Sequence, residues 1–183
     1  GGAVTTYSST VTFEDVLFEF NEAAGAGGAV NVYADSQATF LRTKFFNNKA
    51  GVNGGAVVFQ NNEPKDIDGP SLVKDCVFKH NNATGTGGAM DVNTEFTTLL
   101  VHTTLIHFNY AGDSGGGLSG SNNAIIFVSD SVIANNAARN NGGGAHVTAT
   151  ALTVRNTSVV NSVAGATAGG ISLTGETTSG EFY

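Results

Sequence analysis

A pair of short motifs recurs along this chain at a constant offset, and this repeat restricts the possible folds more than any other feature. One motif is two glycines followed by a small and an apolar residue, as at residues 27–30 and 87–90. The other is an apolar residue, two variable residues, Asn, one further residue and Ala, as in Phe45, Asn48 and Ala50. In each copy a Gly-Gly or Ala-Gly step begins four residues after that Ala. A unit of 26 to 28 residues, with one longer copy, is typical of a solenoid.

The rest of each unit alternates between apolar and polar residues, which is the period of a strand and not of a helix. Val57 and Phe59 show the alternation in one copy. Equivalent positions also carry like residues from copy to copy, and stacked parallel strands produce such columns because each coil lies about 4.8 Å above the last. One column is Phe13, Phe40, Val73, Val101, Val128 and Val154. We therefore predict an all-β fold, a right-handed parallel β-helix of six to seven coils.

The Asn of the second motif has a structural explanation in such a fold. An Asn column can form a ladder in which each side-chain amide bonds to its neighbours above and below, at a turn where backbone groups need partners. The glycine pair supplies backbone angles that other residues resist. The predicted structural ladder consists of Asn21, Asn48, Asn81, Asn109 and Asn136.

Residues 1–183 are predicted to form a single β-helix segment. One copy is lengthened at about residues 60–70, and both prolines of the chain lie in this insertion, which marks it as a surface loop. No amphipathic helix is predicted to cap either end. Because the open end of a parallel stack is an exposed edge, we expect more coils of a longer solenoid, or a neighbouring protein, to cover it.

Charge and composition exclude several classes of function. The 15 acidic and 8 basic side chains give a net charge of −7, which argues against a nucleic-acid partner. No apolar run approaches the roughly 18 residues of a membrane-spanning helix. Cys76 is the only cysteine, so the chain contains no internal disulfide and no multi-cysteine metal site. We predict that Cys76 is a small buried core residue, and we expect no cofactor.

The two motifs resemble the paired Gly-Gly-Ala-(Ile/Val/Leu) and Phe-x-x-Asn repeats of the polymorphic outer membrane proteins of Chlamydia, which also occur in other bacterial and some algal or protist surface proteins. The matching segments are residues 27–30, 54–57 and 87–90 for the first motif and 18–21, 45–48 and 78–81 for the second. Coverage is essentially the whole chain, although Ile106, Ile133 and Val159 replace Phe in the later copies. The resemblance implies a surface-exposed, often adhesive region with the pectin-lyase-like β-helix.

Two patterns resemble the sites of serine hydrolases. Residues 112–116 read Gly-Asp-Ser-Gly-Gly, as around the nucleophile of chymotrypsin-like proteases, but Ser114 occupies an ordinary repeat position and no companion segment of that family is present. Asp91, Ser119 and His146 fall in one column on the outward side of the Gly-Gly strand. A working triad needs the His between the Asp and the Ser, and here Ser119 is in the middle. A Ser119–His146 dyad stays open, but we expect solvated surface residues.

Glycosidases on this fold need clustered carboxylates. Asp15, Asp75 and Asp130 share a column, but Arg42 and Thr103 intervene, and two coils separate the carboxylates by about 10 Å, just beyond the usual range of inverting enzymes. A charge ladder of Asp15, Arg42 and Asp75 is the better interpretation.

Two further sets of residues are candidate sites. The inserted loop carries Glu63, Asp66 and Asp68, which we consider weak binding candidates because a protruding loop is suited to partner recognition. Carboxylates also bind calcium, but three in a flexible turn are more often solvated, so we predict no metal site. Asn82 and Asn156 begin N-glycosylation sequons, which matter only in a eukaryotic secreted protein.

The sequence as a whole predicts a non-catalytic structural or adhesive module, extracellular or at the cell surface. It would present its solenoid faces and one loop to neighbouring protein subunits, a surface receptor or a glycan. The alternative is a polysaccharide lyase or glycoside hydrolase of the pectin-lyase-like fold. A groove that holds two carboxylates, or a carboxylate with Arg or Lys, would favour the enzyme, and a smooth surface would favour the module.

Overall fold

The computed structural model describes residues 1–60, 69–94, 97–175 and 179–182, and all regular structure in this part of the chain is β-strand. The strands are β1 (Val4–Tyr7), β2 (Thr10–Glu14), β3 (Leu17–Glu19), β4 (Glu22–Ala23), β5 (Val30–Tyr33), β6 (Gln37–Leu41), β7 (Lys44–Phe46), β8 (Lys49–Ala50), β9 (Val57–Gln60), β10 (Ser71–Lys74), β11 (Val77–Lys79), β12 (Asn82–Ala83), β13 (Met90–Asn93), β14 (Thr98–His102), β15 (Leu105–His107), β16 (Tyr110–Ala111), β17 (Leu118–Ser121), β18 (Ile125–Ser129), β19 (Val132–Ala134), β20 (Ala137–Ala138), β21 (Ala145–Thr148), β22 (Ala151–Arg155), β23 (Ser158–Val160), β24 (Val163–Ala164), β25 (Ile171–Thr174) and β26 (Ser179–Phe182).

Every fourth strand joins the same sheet, so the chain winds as a solenoid. Sheet A has the order β1-β5-β9-β13-β17-β21-β25, and sheet B has the order β2-β6-β10-β14-β18-β22-β26. Sheet C runs β23-β19-β15-β11-β7-β3, and sheet D runs β24-β20-β16-β12-β8-β4. Neighbouring strands pair in parallel, as β5 does with β9 and β11 with β15. The predicted all-β parallel solenoid is confirmed, with about six turns.

The core consists of inward columns that follow the predicted register. Phe13 pairs with Phe40, Phe40 with Val73 and Val73 with Val101. Val57 and Phe59 are fully buried, and so is Cys76. Burial raises the pKa of the Cys76 thiol to about 11. Like residues stack in the core, because each coil places its side chain directly over the equivalent one below.

Phenylalanine rings form the most regular of these stacks. The rings of Phe18 and Phe45 lie 5.1 Å apart between centroids, and those of Phe45 and Phe78 lie 4.5 Å apart, with the planes within about 11° of parallel. Ile106 and Ile133 continue the column in the later coils. The drift from Phe to Ile along the sequence is therefore a change of side chain within one continuous core column.

An asparagine ladder supports the turn between sheets C and D, which we call the C–D corner. The Nδ2 atom of each Asn donates to the Oδ1 atom of the Asn in the next coil, at 2.9 or 3.0 Å. The same Oδ1 atom also accepts the backbone N–H of the Asn in the preceding coil. The ladder runs through Asn21, Asn48, Asn81, Asn109 and Asn136, and the Ser162 hydroxyl continues it by accepting the Asn136 N–H.

Each ladder residue follows a residue in the left-handed backbone region. At the C–D corner these preceding residues are Phe20, Asn47, His80, Phe108, Asn135 and Asn161, with φ between 51° and 56°. The corner between sheets B and C repeats the arrangement with hydroxyl side chains, because Thr104 accepts the Cys76 N–H and Ser131 accepts the Thr104 N–H. A left-handed residue followed by a polar residue is therefore the common device for turning the chain.

The two glycines of the first motif have different requirements. Gly87 has a φ of 66°, a region that residues with a Cβ rarely adopt. Gly88 has an ordinary φ, but a Cβ added there would lie 2.6 Å from the carbonyl carbon of Tyr110 and closer still to the carbonyl oxygen of Gly116. The first glycine therefore permits the turn, and the second permits close contact with the next coil.

We predict that Asn81→Ala lowers the free energy of unfolding by about 3–5 kcal/mol, because the Asn48 N–H loses its acceptor, and the Phe45 carbonyl and the Asn109 amide oxygen each lose a donor in the core. Urea denaturation followed by circular dichroism measures the change. Asn21→Ala at the partly exposed end of the ladder is the control, with an expected loss of about 1 kcal/mol. Equal losses for the two variants would contradict a cooperative buried ladder.

Gly88→Ala is expected to destabilise the fold by about 3 kcal/mol or more, because backbone atoms of two coils would have to move apart. Gly25→Ala is the matched control, since no atom lies within 4 Å of the added Cβ and its φ is ordinary. It should be neutral or stabilising by about 0.5 kcal/mol. Thermal unfolding of the two variants beside the wild type distinguishes the cases, and a tolerated Gly88→Ala would refute the close approach.

Candidate functional site

The weak binding candidates Glu63, Asp66 and Asp68 lie outside the described residues, and so does most of the inserted loop. No helix in the described part of the chain is long and apolar enough to cross a membrane. No group of three His, Cys, Asp or Glu side chains within residues 1–60, 69–94, 97–175 and 179–182 is arranged to hold a metal ion. The candidate sites are therefore the buried column of sheet A and the outward surfaces of the coils.

The expectation that Asp91, Ser119 and His146 are solvated surface residues is wrong. The three residues are neighbours in one column of sheet A, as predicted, since Asp91 pairs with Ser119 and Ser119 with His146. However, Asp91 is 1% exposed, Ser119 is 4% exposed and His146 is half-buried. The outward side of this strand is covered by the chain itself.

The segment before each Gly-Gly step provides this cover by folding back over the strand that follows. The Thr86 hydroxyl donates to Asp91 Oδ1 at 2.8 Å, five residues along the chain. The Thr167 hydroxyl lies 3.3 Å from the Ser172 hydroxyl in the equivalent place, two coils beyond Ser119. Positive φ at the first glycine allows this tight return, so the segment lies directly on the strand. We call the resulting buried polar layer the seam.

The seam has an unusual carboxyl group. Burial raises the pKa of Asp91 to about 6, and the side chains of Thr86, Ser119 and Asn53 oppose this effect only in part. Asp91 Oδ2 is buried and has no hydrogen-bond partner among the described residues. An ionised carboxylate here would keep part of its desolvation cost, so the neutral acid is favoured at mildly acidic pH.

The His146 imidazole, at the other end of the column, also has few hydrogen-bond partners. Burial lowers the pKa of His146, although Asp113 and the nearby backbone of Ser172 act in the opposite direction. Its Nε2 atom lies 3.1 Å from the Thr148 hydroxyl, and its Nδ1 atom has no hydrogen-bond partner in the described structure. Ser119 separates the imidazole from Asp91, so the carboxyl group cannot orient the ring as in a triad. The cover over Ser119 also leaves a polymeric substrate no path to its hydroxyl.

Ser114 lies in the same seam, in the segment that covers the strand. Its hydroxyl donates to the neighbouring Asp113 carboxylate at 3.1 Å and accepts the backbone N–H of Asn141 at 3.3 Å. Asn140 donates to the same Asp113 oxygen at 2.7 Å. The hydroxyl is buried and serves the turn, which agrees with the interpretation of residues 112–116 as a repeat position and not a nucleophile site.

The charged residues Asp15, Arg42 and Asp75 lie at the corner between sheets B and C, but their ion pairs differ from the predicted ones. Arg42 forms an ion pair with Asp15, with Nε 2.8 Å from Oδ1, and a second one with Glu14. Within the described residues, the recorded ion pairs of Arg42 do not extend to Asp75, so the ladder of Asp15, Arg42 and Asp75 is wrong in its second step. The Arg42 guanidinium holds the pKa of Asp15 below its usual value. Glu14 competes for the cation because it lies at the adjacent end of β2.

A shallow depression of about 440 Å³ lies on this corner. Its charged lining residues are Asp15, Arg42, Lys44 and Asp75, and Val16 and Leu17 complete it. The depression therefore holds carboxylates together with Arg and Lys, which is the feature expected of the enzyme alternative. The ion pairs of Arg42 keep its pKa above the usual value, so its guanidinium stays charged.

Exposed aromatic residues are the surface feature that the sequence reasoning missed. Phe20 is 73% exposed, Phe108 47% and Tyr110 43%. Phe20 and Phe108 both occupy the left-handed position of the C–D corner, where three of the six residues are Asn. The sequence did contain the signal, because a Phe directly before a ladder Asn departs from the Asn, Asp or Gly that this backbone region favours.

The sequon residues lie at accessible places. Asn82 is exposed in β12, and Asn156 is exposed at the corner between sheets B and C. Asn156 adopts a φ of 45° and donates to Asp130 Oδ1 at 2.6 Å, so the turn itself accounts for an Asn there. No equivalent structural role falls to the Asn82 side chain in the described contacts. Glycosylation of Asn82 and Asn156 remains a prediction.

Comparison with known proteins gives one partial match. No protein-family profile matches the chain, and no solved structure matches it. Over 136 residues, or 71% of the chain, it is 30% identical to the metabotropic glutamate receptor-like protein Q of Dictyostelium discoideum. The matched segment makes up 11% of that protein, so the chain corresponds to a small part of its length.

We predict that Asp91 makes stability depend on pH. The folded protein holds the Asp91 proton up to about pH 6, whereas the unfolded chain releases it near pH 3.8, so the free energy of unfolding should fall as pH rises between these values. The contribution is about 3 kcal/mol, fully present below the lower value and lost above the upper one.

Urea denaturation of the wild type and of Asp91→Asn at about pH 4, 5, 6 and 7 isolates this contribution, because these values span the pH range between the two pKa values. Asn keeps an acceptor for the Thr86 hydroxyl but carries no charge. The wild type should lose stability relative to the variant as pH rises, and Asp75→Asn at the exposed corner between sheets B and C serves as a control that removes a carboxylate outside the buried layer. Parallel curves for wild type and Asp91→Asn would exclude a buried proton on Asp91.

Proposed function

We propose that this chain is a non-catalytic structural or adhesive module that works outside the cell or at its surface and presents solenoid faces to protein or glycan partners. The observation that carries the proposal is the contrast between the two sides of the coils. Among the hydrolase-like residues, Asp91, Ser114 and Ser119 are buried, whereas large aromatic and apolar side chains are exposed at outward positions. Exposed apolar groups on a regular rod are typical of contact surfaces.

Other features support the same proposal. The repeat motifs resemble surface-protein repeats. We propose, in line with this resemblance, that the solenoid is a right-handed β-helix of the pectin-lyase-like type. The Dictyostelium relative is named as receptor-like, which agrees with a place at the cell surface. A backbone bonded from coil to coil at each corner forms a stiff scaffold, and a stiff scaffold holds contact residues at constant spacing without disulfides. The inserted loop, with Glu63, Asp66 and Asp68, remains a proposed contact as well.

A polysaccharide lyase or hydrolase is the second candidate, and one observation favours it. The depression lined by Asp15, Arg42, Lys44 and Asp75 combines carboxylates with cationic groups. In a lyase, Lys44 would accept the proton next to the uronate carboxyl group, the freed electrons would form a C=C bond, and the glycosidic C–O bond on the adjacent carbon would break to release the leaving sugar as an alcohol after it takes up a proton. Arg42 would bind the uronate carboxylate. Against this, Asp15 and Glu14 already bind Arg42, so its guanidinium would have to exchange partners before it bound a substrate.

Incubation of the purified chain with acidic and neutral polysaccharides distinguishes the two functions. We expect saturable binding to a cell-surface protein or glycan preparation. We expect no turnover, which is measured by the release of reducing ends and by the ultraviolet absorbance of unsaturated products. The decisive control is Lys44→Ala, which changes the depression but not the core. Turnover by the wild type that Lys44→Ala abolishes would replace the adhesive proposal with the enzymatic one.

A further inference from the structure

The outward surface of sheets C and D differs in charge from the rest of the molecule. Residues 44–50, 77–83, 105–111 and 132–138, which form these sheets in four successive coils, contain no Asp or Glu, although the chain has a net charge of −7. The basic residues of this region are Lys44, Lys49, Lys79, His80 and His107. An otherwise acidic chain therefore has no carboxylates on this face in these four coils, although Glu19 and Glu22 lie on it in the first coil.

Aromatic rings and basic groups meet at one place on this face, the C–D corner of the third and fourth coils. The Phe108 ring is stacked on the His80 imidazole, with centroids 5.5 Å apart and planes 25° from parallel. His107 lies beside it, 5.2 Å from the Phe108 centroid. Lys79 is the strand partner of His107 across sheet C. Tyr110 is exposed two residues beyond Phe108.

The Phe108 side chain is exposed at a backbone conformation that disfavours it. Its φ of 54° lies in the left-handed region, which Asn tolerates and bulky residues do not. Asn47 and Asn135 occupy the same position in other coils. An unfavourable backbone conformation that places an aromatic ring in solvent contributes nothing to the core, so a role at the surface accounts for it.

We propose that this corner binds an anionic oligosaccharide, with one sugar ring packed on Phe108 and its carboxylate or sulfate beside Lys79, His80 and His107. The proposal rests on the adhesive function above and names the chemistry of its partner. The apolar C–H face of a pyranose matches the negative face of an aromatic ring. The Lys79 ammonium group can form a strong charge-assisted hydrogen bond to a carboxylate or sulfate. Burial and the neighbouring Lys79 lower the pKa of His107, and a neutral imidazole can still donate one N–H to the same anion.

The same face fits other anionic polymers less well. An extended acidic peptide gains affinity from a free strand edge, but β11, β12, β15 and β16 are paired on both sides. Nucleic acid requires a broad basic footprint, whereas this corner has one Lys and two His and belongs to an acidic chain. A flat ring with a few adjacent cations corresponds to a sugar unit.

Phe20 offers a matched control because it occupies the same repeat position in the first coil. Its φ is 55° and its ring is more exposed than that of Phe108, but Glu19 and Glu22 flank it in place of basic residues. Lys49 supplies the control for charge, because its ammonium group is 2.7 Å from Glu22. The variants Phe108→Asn and Phe20→Asn both introduce the residue that the corner favours, so neither should lower the melting temperature.

The test measures binding of the full chain to four probes: an oligogalacturonate, a heparin-derived oligosaccharide, a neutral maltooligosaccharide of similar length and polyglutamate. We expect binding to one or both anionic sugars, weaker binding to the neutral one, and a decrease with added salt. Phe108→Asn and Lys79→Gln should each raise the dissociation constant roughly tenfold. Phe20→Asn and Lys49→Gln should stay within about twofold of the wild type.

Several outcomes would overturn the proposal. They are unchanged affinity in Phe108→Asn, equal loss in Phe20→Asn, polyglutamate bound as tightly as the sugars, or no binding of either anionic sugar. Preference between carboxylated and sulfated sugars only identifies the source of the negative charge. If Phe108→Asn binds the sugar with wild-type affinity, the proposed site is refuted but the adhesive function is not. Turnover of the bound sugar would refute the adhesive function while the site stands.

Discussion

The whole structure depends on the hydrogen bonds that cross from one coil to the next at the corners. Within the sheets the backbone ladders satisfy the peptide groups, but at a corner the chain changes direction and those groups lose their regular partners. A left-handed residue turns the chain, and the polar side chain that follows bonds to the N–H group of the adjacent coil. The Asn81 amide makes this clear, because it contacts the coils above and below at once.

This constraint explains why the repeat is uniform where it is and variable elsewhere. The inward columns accept Phe, Val, Ile or Leu, since any of these fills the space between coils. Ladder positions change only between side chains that can bond to an amide, as from Asn136 to Ser162. The second glycine of each pair has no such freedom, because backbone atoms of the next coil occupy the place of its side chain. The outward positions are free of these restrictions and are available for function.

Burial of the seam changes the interpretation of the most enzyme-like residues. Asp91, Ser119 and His146 form the expected column, yet the segment that returns from sheet D to sheet A lies over them. The pKa of Asp91 is raised to about 6 and that of His146 is lowered, in both cases because the chain covers these side chains. The exposed charged and aromatic side chains lie instead at the outer corners. Several of them occupy left-handed backbone positions that favour Asn or Gly.

The sequence alone determined the coil length, the register and which strand residues face the core, because a constant offset between motifs and a period of two leave a single way to stack the copies. It also identified the ladder residues from their column. Only the tertiary structure decided which outward residues are covered: Asp91 and Lys79 both face away from the core, and their burial differs because a neighbouring segment folds over one and not over the other. Sequence periodicity describes each strand separately, whereas cover by another part of the coil depends on the path of the chain between strands. The pairing of Arg42 with Glu14 as well as Asp15 was decided in the same way, by side-chain reach in three dimensions.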